Sequence, residues 1–236
     1  DSVASRGLGD VYKRQDLGIA FDGDADRCFI VDEKGEAVSP STICAMIAER
    51  YLDEQPGATI IHNLITSKSV RELVEAKGGK PVRSRVGHSF IKAQMAKEGA
   101  VFGGEHSAHY YFRDFFNADS GMLAALHVLA SLGEQDKPLS ELKRAYETYR
   151  ASGEINSEVA DQAGRTEAVV EAFADRTASV DRLDGVTIEL QDGSWLNVRA
   201  SNTEPLLRLN VEAADTATME RVRDAALAAV REGEAQ

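Results

Sequence analysis

Basic side chains are in short supply in this sequence. Twenty-seven lysines and arginines stand against 39 aspartates and glutamates, a net charge of −12 over 236 residues. A nucleic-acid backbone needs a basic footprint, so this balance argues against nucleic acid as the main partner. It leaves room for a small phosphorylated ligand, which needs only a local basic site. Cysteine is scarce, with two residues. Cys28 sits in a strand-like apolar run and Cys44 in a helical one, so both read as reduced core residues of a cytoplasmic protein, not as a disulfide. Long apolar runs are missing as well. The longest, residues 122–132, is too short to span a bilayer and carries His127, so no membrane association is expected. Nothing resembles a secretion signal, an internal repeat or a low-complexity segment. What is left is a chain with the apolar and charged fractions of a globular protein, long enough for one large domain or two ordinary ones.

The stretch Asp22-Gly23-Asp24-Ala25-Asp26-Arg27 organises the chain. Apolar runs at 17–21 and 28–31 flank it and read as short strands, which makes the acidic segment the turn between them. Three like charges that close repel one another, and a hard divalent cation such as Mg2+ would relieve them. The spacing imitates the start of a calcium EF-hand loop, but Arg27 stands where that loop needs glycine, and the flanks are not helical. The other reading is an acidic, solvated hairpin turn.

Residues 1–15 lack periodicity, and the end Asp10-Val11-Tyr12-Lys13-Arg14-Gln15 resembles translated adapter sequence, so native sequence is expected from about Asp16. Beyond the acidic turn, helices are predicted at 41–54, 67–77 and 88–97, with Phe90, Ile91 and Met95 inward. They alternate with strands at 58–62, 81–86 and 100–103. This order predicts an α/β domain with a mostly parallel sheet. Helices at 120–132 and 139–150 follow. After Ser152-Gly153 the strands outnumber the helices and tight turns join them, which predicts a smaller α+β domain ending in a helix capped by Asp215.

Three further stretches carry chemistry. In Gly103-Gly104-Glu105-His106-Ser107-Ala108-His109, Glu105 and Ser107 offer an acceptor and a hydroxyl suited to vicinal sugar hydroxyls, and His109 can move protons near neutral pH. The bland reading is a polar turn. Arg199-Ala200-Ser201-Asn202-Thr203-Glu204-Pro205 joins two strands, and its arginine, hydroxyls and amide can cradle an anion as readily as form a solvated turn. Arg85-Val86-Gly87-His88-Ser89 sits at a strand-to-helix junction, where a helix N-terminus favours an anion.

Together these four stretches resemble the α-D-phosphohexomutases, especially the bacterial phosphomannomutase/phosphoglucomutase group, over residues 16–236. Asp22 to Arg27 looks like the family's magnesium loop, Arg85 to Ser89 its Thr-Gly-His-Ser-type segment, Gly104 to His109 its sugar loop, and Arg199 to Pro205 its phosphate loop. Ala108 departs from the sugar loop's frequent glycine. The resemblance implies the end of the second family domain at 16–37, the third at 38–151 and the fourth at 152–236. It implies Mg2+ on Asp22, Asp24 and Asp26, with Arg27, His109 and His88 as catalytic groups. Glu105, Ser107, Arg85, Arg199, Ser201, Asn202 and Thr203 would bind a mannose or glucose 1- or 6-phosphate and its bisphosphate. The family's nucleophilic serine lies in a Ser-His-Asn-Pro-type motif, which this sequence does not contain. Phosphoglucosamine mutase and a non-catalytic phosphosugar-binding module are the alternatives.

Overall fold

In the computed structural model, which describes residues 15–201 and 204–232, the acidic stretch is a hairpin turn. Strands β1 (Leu17–Phe21) and β2 (Cys28–Asp32) pair antiparallel with Phe21 opposite Cys28, and β3 (Ala37–Val38) extends the sheet beside β2. Residues 1–14, including the adapter-like end up to Arg14, lie outside the described residues. The chain divides into two compact units between Thr148 and Tyr149.

The first unit continues with α1 (Pro40–Glu54), β4 (Thr59–Asn63), α2 (Lys68–Ala76), β5 (Lys80–Ser84), α3 (His88–Glu98) and β6 (Phe102–Gly104). Local chemistry sets the helix ends. The Ser39 hydroxyl accepts from the Ser41 N–H ahead of α1, Ser67 does the same for Ser69 ahead of α2, and Gly99 closes α3 in the left-handed conformation. Strands β5, β4 and β6 are parallel neighbours. The sheet then continues with two antiparallel strands that the sequence did not announce, β7 (Tyr110–Phe112) and β8 (Ala118–Asp119). The connection from β6 to β7 is too short for a crossover helix, so β7 must return antiparallel.

Helices cover both faces of this sheet. On β4, Ile60 faces the large core with Ile43, Ile47 and Tyr51 of α1, while Ile61 faces a smaller cluster with Ile91 and Met95 of α3. Each fully buried isoleucine contributes roughly 1.5–3 kcal/mol over an exposed one. Phe90 does not join them, contrary to the helical pattern: it is 45% exposed, and the Arg85 guanidinium lies 4.7 Å from its ring centre. Cys28 and Cys44 are buried, free thiols, and burial pushes both up to about 12.

Helix α4 (Gly121–Gly133) follows β8, and α5 covers only Leu139–Leu142 before a 3-10 turn at Lys143–Ala145. The predicted helix to Arg150 is therefore wrong in its second half. Tertiary contacts override the local propensity there. The Lys143 Nζ reaches the fully buried Asp32 carboxylate at 2.8 Å, and Arg150–Ala151 pair as strand β9 with a later strand of the second unit.

The second unit is an antiparallel sheet with two helices. Strands β10 (Ile155–Glu158), β11 (Thr177–Asp181), β12 (Val186–Leu190), β13 (Trp195–Ala200) and β14 (Leu206–Ala213) lie in the order β10-β14-β13-β12-β11. Helices α6 (Gln162–Phe173) and α7 (Thr216–Arg231) supply Val169, Phe173, Met219 and Val222 to a core with Ile188, Leu196, Val198 and Leu209. The Asp215 carboxylate caps α7 by accepting the Thr218 N–H at 2.8 Å.

Candidate active site

The acidic turn brings its three carboxylates together. Asp22, Asp24 and Asp26 each present an oxygen within 4.8 Å of the others. Burial pushes the Asp26 carboxyl above its usual range against the pull of His109, and Asp22, Asp24 and Asp119 push it the same way. The Asp26 Oδ1 is buried with no hydrogen-bond partner among the described residues. Crowded carboxylates with an unfilled buried acceptor fit a hard divalent cation. Arg27 answers part of the charge: its Nε lies 3.0 Å from Asp22 and 3.9 Å from Asp26, and its backbone N–H donates to Asp22 at 3.2 Å. Asp26, His109 and Asp119 form a second close group that shares Asp26, and Asp119 there is paired with Lys92 Nζ at 2.8 Å.

The loop after β6 lies against this turn. The Cys28 N–H donates to the Ala108 carbonyl at 3.2 Å, and Arg27 and His109 form an isolated β-bridge. His109 is thereby placed between two sets of groups. Its Nε2 is 3.6 Å from Asp26, and its Nδ1 is 2.9 Å from the Ser107 hydroxyl and 3.8 Å from Glu105. Ala108 stands at φ 70°, so the loop holds an alanine in the left-handed conformation that glycine adopts without strain. His106 turns elsewhere, with Nδ1 3.1 Å from the Ser41 hydroxyl.

Glu105 is almost wholly buried. Its Oε1 accepts from the Asn63 amide at 3.3 Å and from the Gly87 N–H at 3.1 Å, and its Oε2 accepts from the Tyr111 hydroxyl at 2.7 Å. The Gly87 N–H is thus what ties the Arg85–Ser89 turn to this cluster. Arg85 and His88 are exposed. Asn63, Lys92, Tyr111 and Asp119 were not singled out from the sequence. They lie inside regular strands and a helix, where no local signal marks a site residue.

In the second unit, Arg199 on β13 lies directly opposite Arg208 on β14. Two like charges in register repel, and Glu154 answers both, with one oxygen 3.1 Å from Arg199 and the other 3.1 Å from Arg208. Arg208 also reaches the Ser201 hydroxyl at 3.5 Å, and both Nε atoms are buried with no partner among the described residues. Asn202 and Thr203 lie outside the described residues. Arg208 is the group the sequence reading missed here. The register across the short 201–205 connection would have revealed it.

Comparison with known proteins joins these features. The phosphoglucomutase/phosphomannomutase α/β/α domain III matches residues 39–149, and the C-terminal domain of the same family matches residues 154–229. The chain belongs to the phosphoglucomutase/phosphomannomutase family. It is 48% identical over 198 residues to a phosphomannomutase of Escherichia coli K12, covering 84% of this chain and 43% of that protein. A phosphoglucomutase/phosphomannomutase family protein of Burkholderia thailandensis superposes with a TM-score of 0.84 at 29% identity, over 98% of this chain and 51% of that one. The N-acetylphosphoglucosamine mutase of Aspergillus fumigatus, solved with GlcNAc-6P and magnesium, shares the fold at a TM-score of 0.67 and 15% identity, over 91% of this chain and 52% of that one. The chain thus spans about half the length of these relatives. Among the described residues no helix is long and apolar enough to cross a membrane.

Proposed function

We propose that this chain supplies the metal turn, the sugar loop and the phosphate loop of a mutase that interconverts hexose 6-phosphate and hexose 1-phosphate, with mannose or glucose as the sugar. The observation that carries this reading is the placement of His109, with Asp26 of the aspartate triad at its Nε2 and Ser107 and Glu105 at its Nδ1. One imidazole between a cation site and hydroxyl-binding groups is the arrangement that phosphoryl transfer to a sugar hydroxyl needs.

Asp22, Asp24 and Asp26 would hold Mg2+, which when bound neutralises charge on the phosphoryl group in transit. Arg27, exposed beside them, adds a second positive charge at the same place. His109 takes the proton of the attacking sugar hydroxyl at Nε2 and returns it in the reverse step. Ser107 holds the ring by its other nitrogen. In the first half-reaction a phosphoserine gives its phosphoryl group to the free hydroxyl: the serine O–P bond breaks, the sugar O–P bond forms, and a bisphosphate results. The second half-reaction returns the other phosphate to the serine. Glu105 and Ser107 accept and donate to hydroxyls common to both orientations. Arg199, Ser201, Asn202 and Thr203 hold the phosphate that is not reacting, and Arg208, opposite Arg199, joins them. Arg85 offers further positive charge to the substrate, and His88 assists the proton transfer.

Both half-reactions need one covalent carrier that keeps the phosphoryl group from water. Ser107 and Ser201 are engaged in binding, so the chain alone is expected to bind mannose 1-phosphate without turning it over. An assay with mannose 1-phosphate, Mg2+ and a bisphosphate activator tests this. Turnover that persists after Ser107→Ala and Ser201→Ala, with contaminating enzyme excluded, would overturn it.

A further inference from the structure

Asn63, Thr66, Glu105 and Tyr111 form a buried polar network in which only Glu105 belongs to a sequence motif. The Thr66 hydroxyl donates to the Asn63 side-chain oxygen Oδ1 at 2.7 Å, which turns the Asn63 side-chain nitrogen toward Glu105 Oε1. Each partner of Glu105 comes from a different element. Asn63 is the last residue of β4, Gly87 precedes α3, and Tyr111 is in β7. The network therefore gathers the carboxyl ends of the parallel strands onto one carboxylate.

An ionised carboxylate offers about four acceptor directions. Three are taken here, two on Oε1 by Asn63 and Gly87 and one on Oε2 by Tyr111. The remaining direction is on Oε2, the oxygen that lies 3.8 Å from His109. The Tyr111 hydroxyl sets which way that direction points. Because Asn63 and Tyr111 are buried, the carboxylate cannot turn without leaving their donors unpaired, and that cost resists rotation.

We infer that Tyr111 and Asn63 are positioning residues that hold the Glu105 carboxylate so that one acceptor site on Oε2 stays free for a sugar hydroxyl. This rests on the sugar-binding reading above. Phosphate recognition in the second unit does not depend on it.

The test uses the whole chain and the variants Tyr111→Phe and Asn63→Ser. The Gly87 amide, which donates to the same carboxylate, reports the position of Glu105 without any ligand. If Tyr111 and Asn63 position Glu105, hydrogen exchange at Gly87 rises at least fivefold in both variants, while exchange at amides of α1 is unchanged. Mannose 1-phosphate affinity then falls about tenfold in Tyr111→Phe, and inorganic phosphate affinity stays as it was. Unchanged Gly87 exchange in Tyr111→Phe would overturn the inference. So would equal losses for mannose 1-phosphate and inorganic phosphate. A parent chain that binds mannose 1-phosphate no better than inorganic phosphate would instead overturn the sugar-binding reading, and Gly87 would still decide the positioning role.

Discussion

Each unit holds like charges side by side, and the two settle the conflict differently. In the second unit Arg199 and Arg208 face one another across two strands, and a protein carboxylate, Glu154, bridges them. In the first unit Asp22, Asp24 and Asp26 share a turn with Arg27, whose side chain is 46% exposed and touches only two of the three. A cluster neutralised from within serves the fold as well as a ligand. The cluster left short of counter-charge is the one for which an outside cation is proposed. Five residues beyond the turn, Asp32 shows the first unit's fully internal solution, a buried carboxylate on Lys143.

The largest effect expected from breaking this pattern is at that buried pair. Lys143→Met leaves Asp32 buried and uncompensated, which costs about 3–5 kcal/mol of the first unit's stability. Urea unfolding followed at amides of that unit measures it, and a loss below about 1 kcal/mol would show that the pair is dispensable. Burial raises the Asp32 carboxyl, but the Lys143 hydrogen bond and the Glu36 and Lys34 N–H groups outweigh it and hold the carboxyl below its usual range. Its contribution is thus present above the unfolded carboxylate pKa and disappears as pH falls through the folded one.

Acid separates the units next. All five histidines, at 62, 88, 106, 109 and 127, lie in the first. Burial drives His62 down to about 4, with the Asn63 carbonyl pulling upward and Arg83 and Arg71 downward. The unfolded imidazole protonates first, so this stability is complete above about 6.5 and drains as pH falls toward 4. The loss is about 3 kcal/mol. Trp195, the one tryptophan, is buried in the second unit and reports that unit alone. Its fluorescence transition should hold steady over this pH range while the first unit's shifts. Parallel shifts would refute the separation.

Glu154→Gln sharpens the comparison from the other side. It removes the bridge's charge, so the second unit should lose about 1–2 kcal/mol by thermal unfolding followed at Trp195, and inorganic phosphate should restore most of it. A variant whose stability ignores phosphate would argue that the arginines serve Glu154 alone. The smallest effect on folding belongs to Asp24→Asn. Relief of repulsion should change stability by less than about 0.5 kcal/mol, while calorimetry should show Mg2+ affinity falling at least tenfold. Equal Mg2+ affinity would count against the triad.

What the sequence disclosed follows the same division between local and distant chemistry. The acidic turn, the helix cap at Asp215, and the loops at 105–109 and 199–205 are contiguous, and their chemistry is written in adjacent residues. Strands β7 and β8 were not foreseen because Tyr110-Tyr111-Phe112 and Ala118-Asp119 are too short for a periodic signal. The early end of α5 depends on Asp32, more than a hundred residues upstream, and the hub at Glu105 depends on partners from three other segments. No window of neighbouring residues contains those relations.

Gly121 opens α4 against the back of the acidic turn, where a β-carbon would stand 2.6 Å from the Arg27 carbonyl and 2.8 Å from that of Ala25. Helix and turn therefore meet main chain to main chain, with no side chain between them to trim or enlarge. Sequence drift can retune most contacts in small increments, but this one has no increments. Any other residue at 121 must push the turn and its aspartates away from the helix. The spacing of the three carboxylates is thus kept whole or lost whole, and that makes position 121 a natural place to disable the proposed cation site by design.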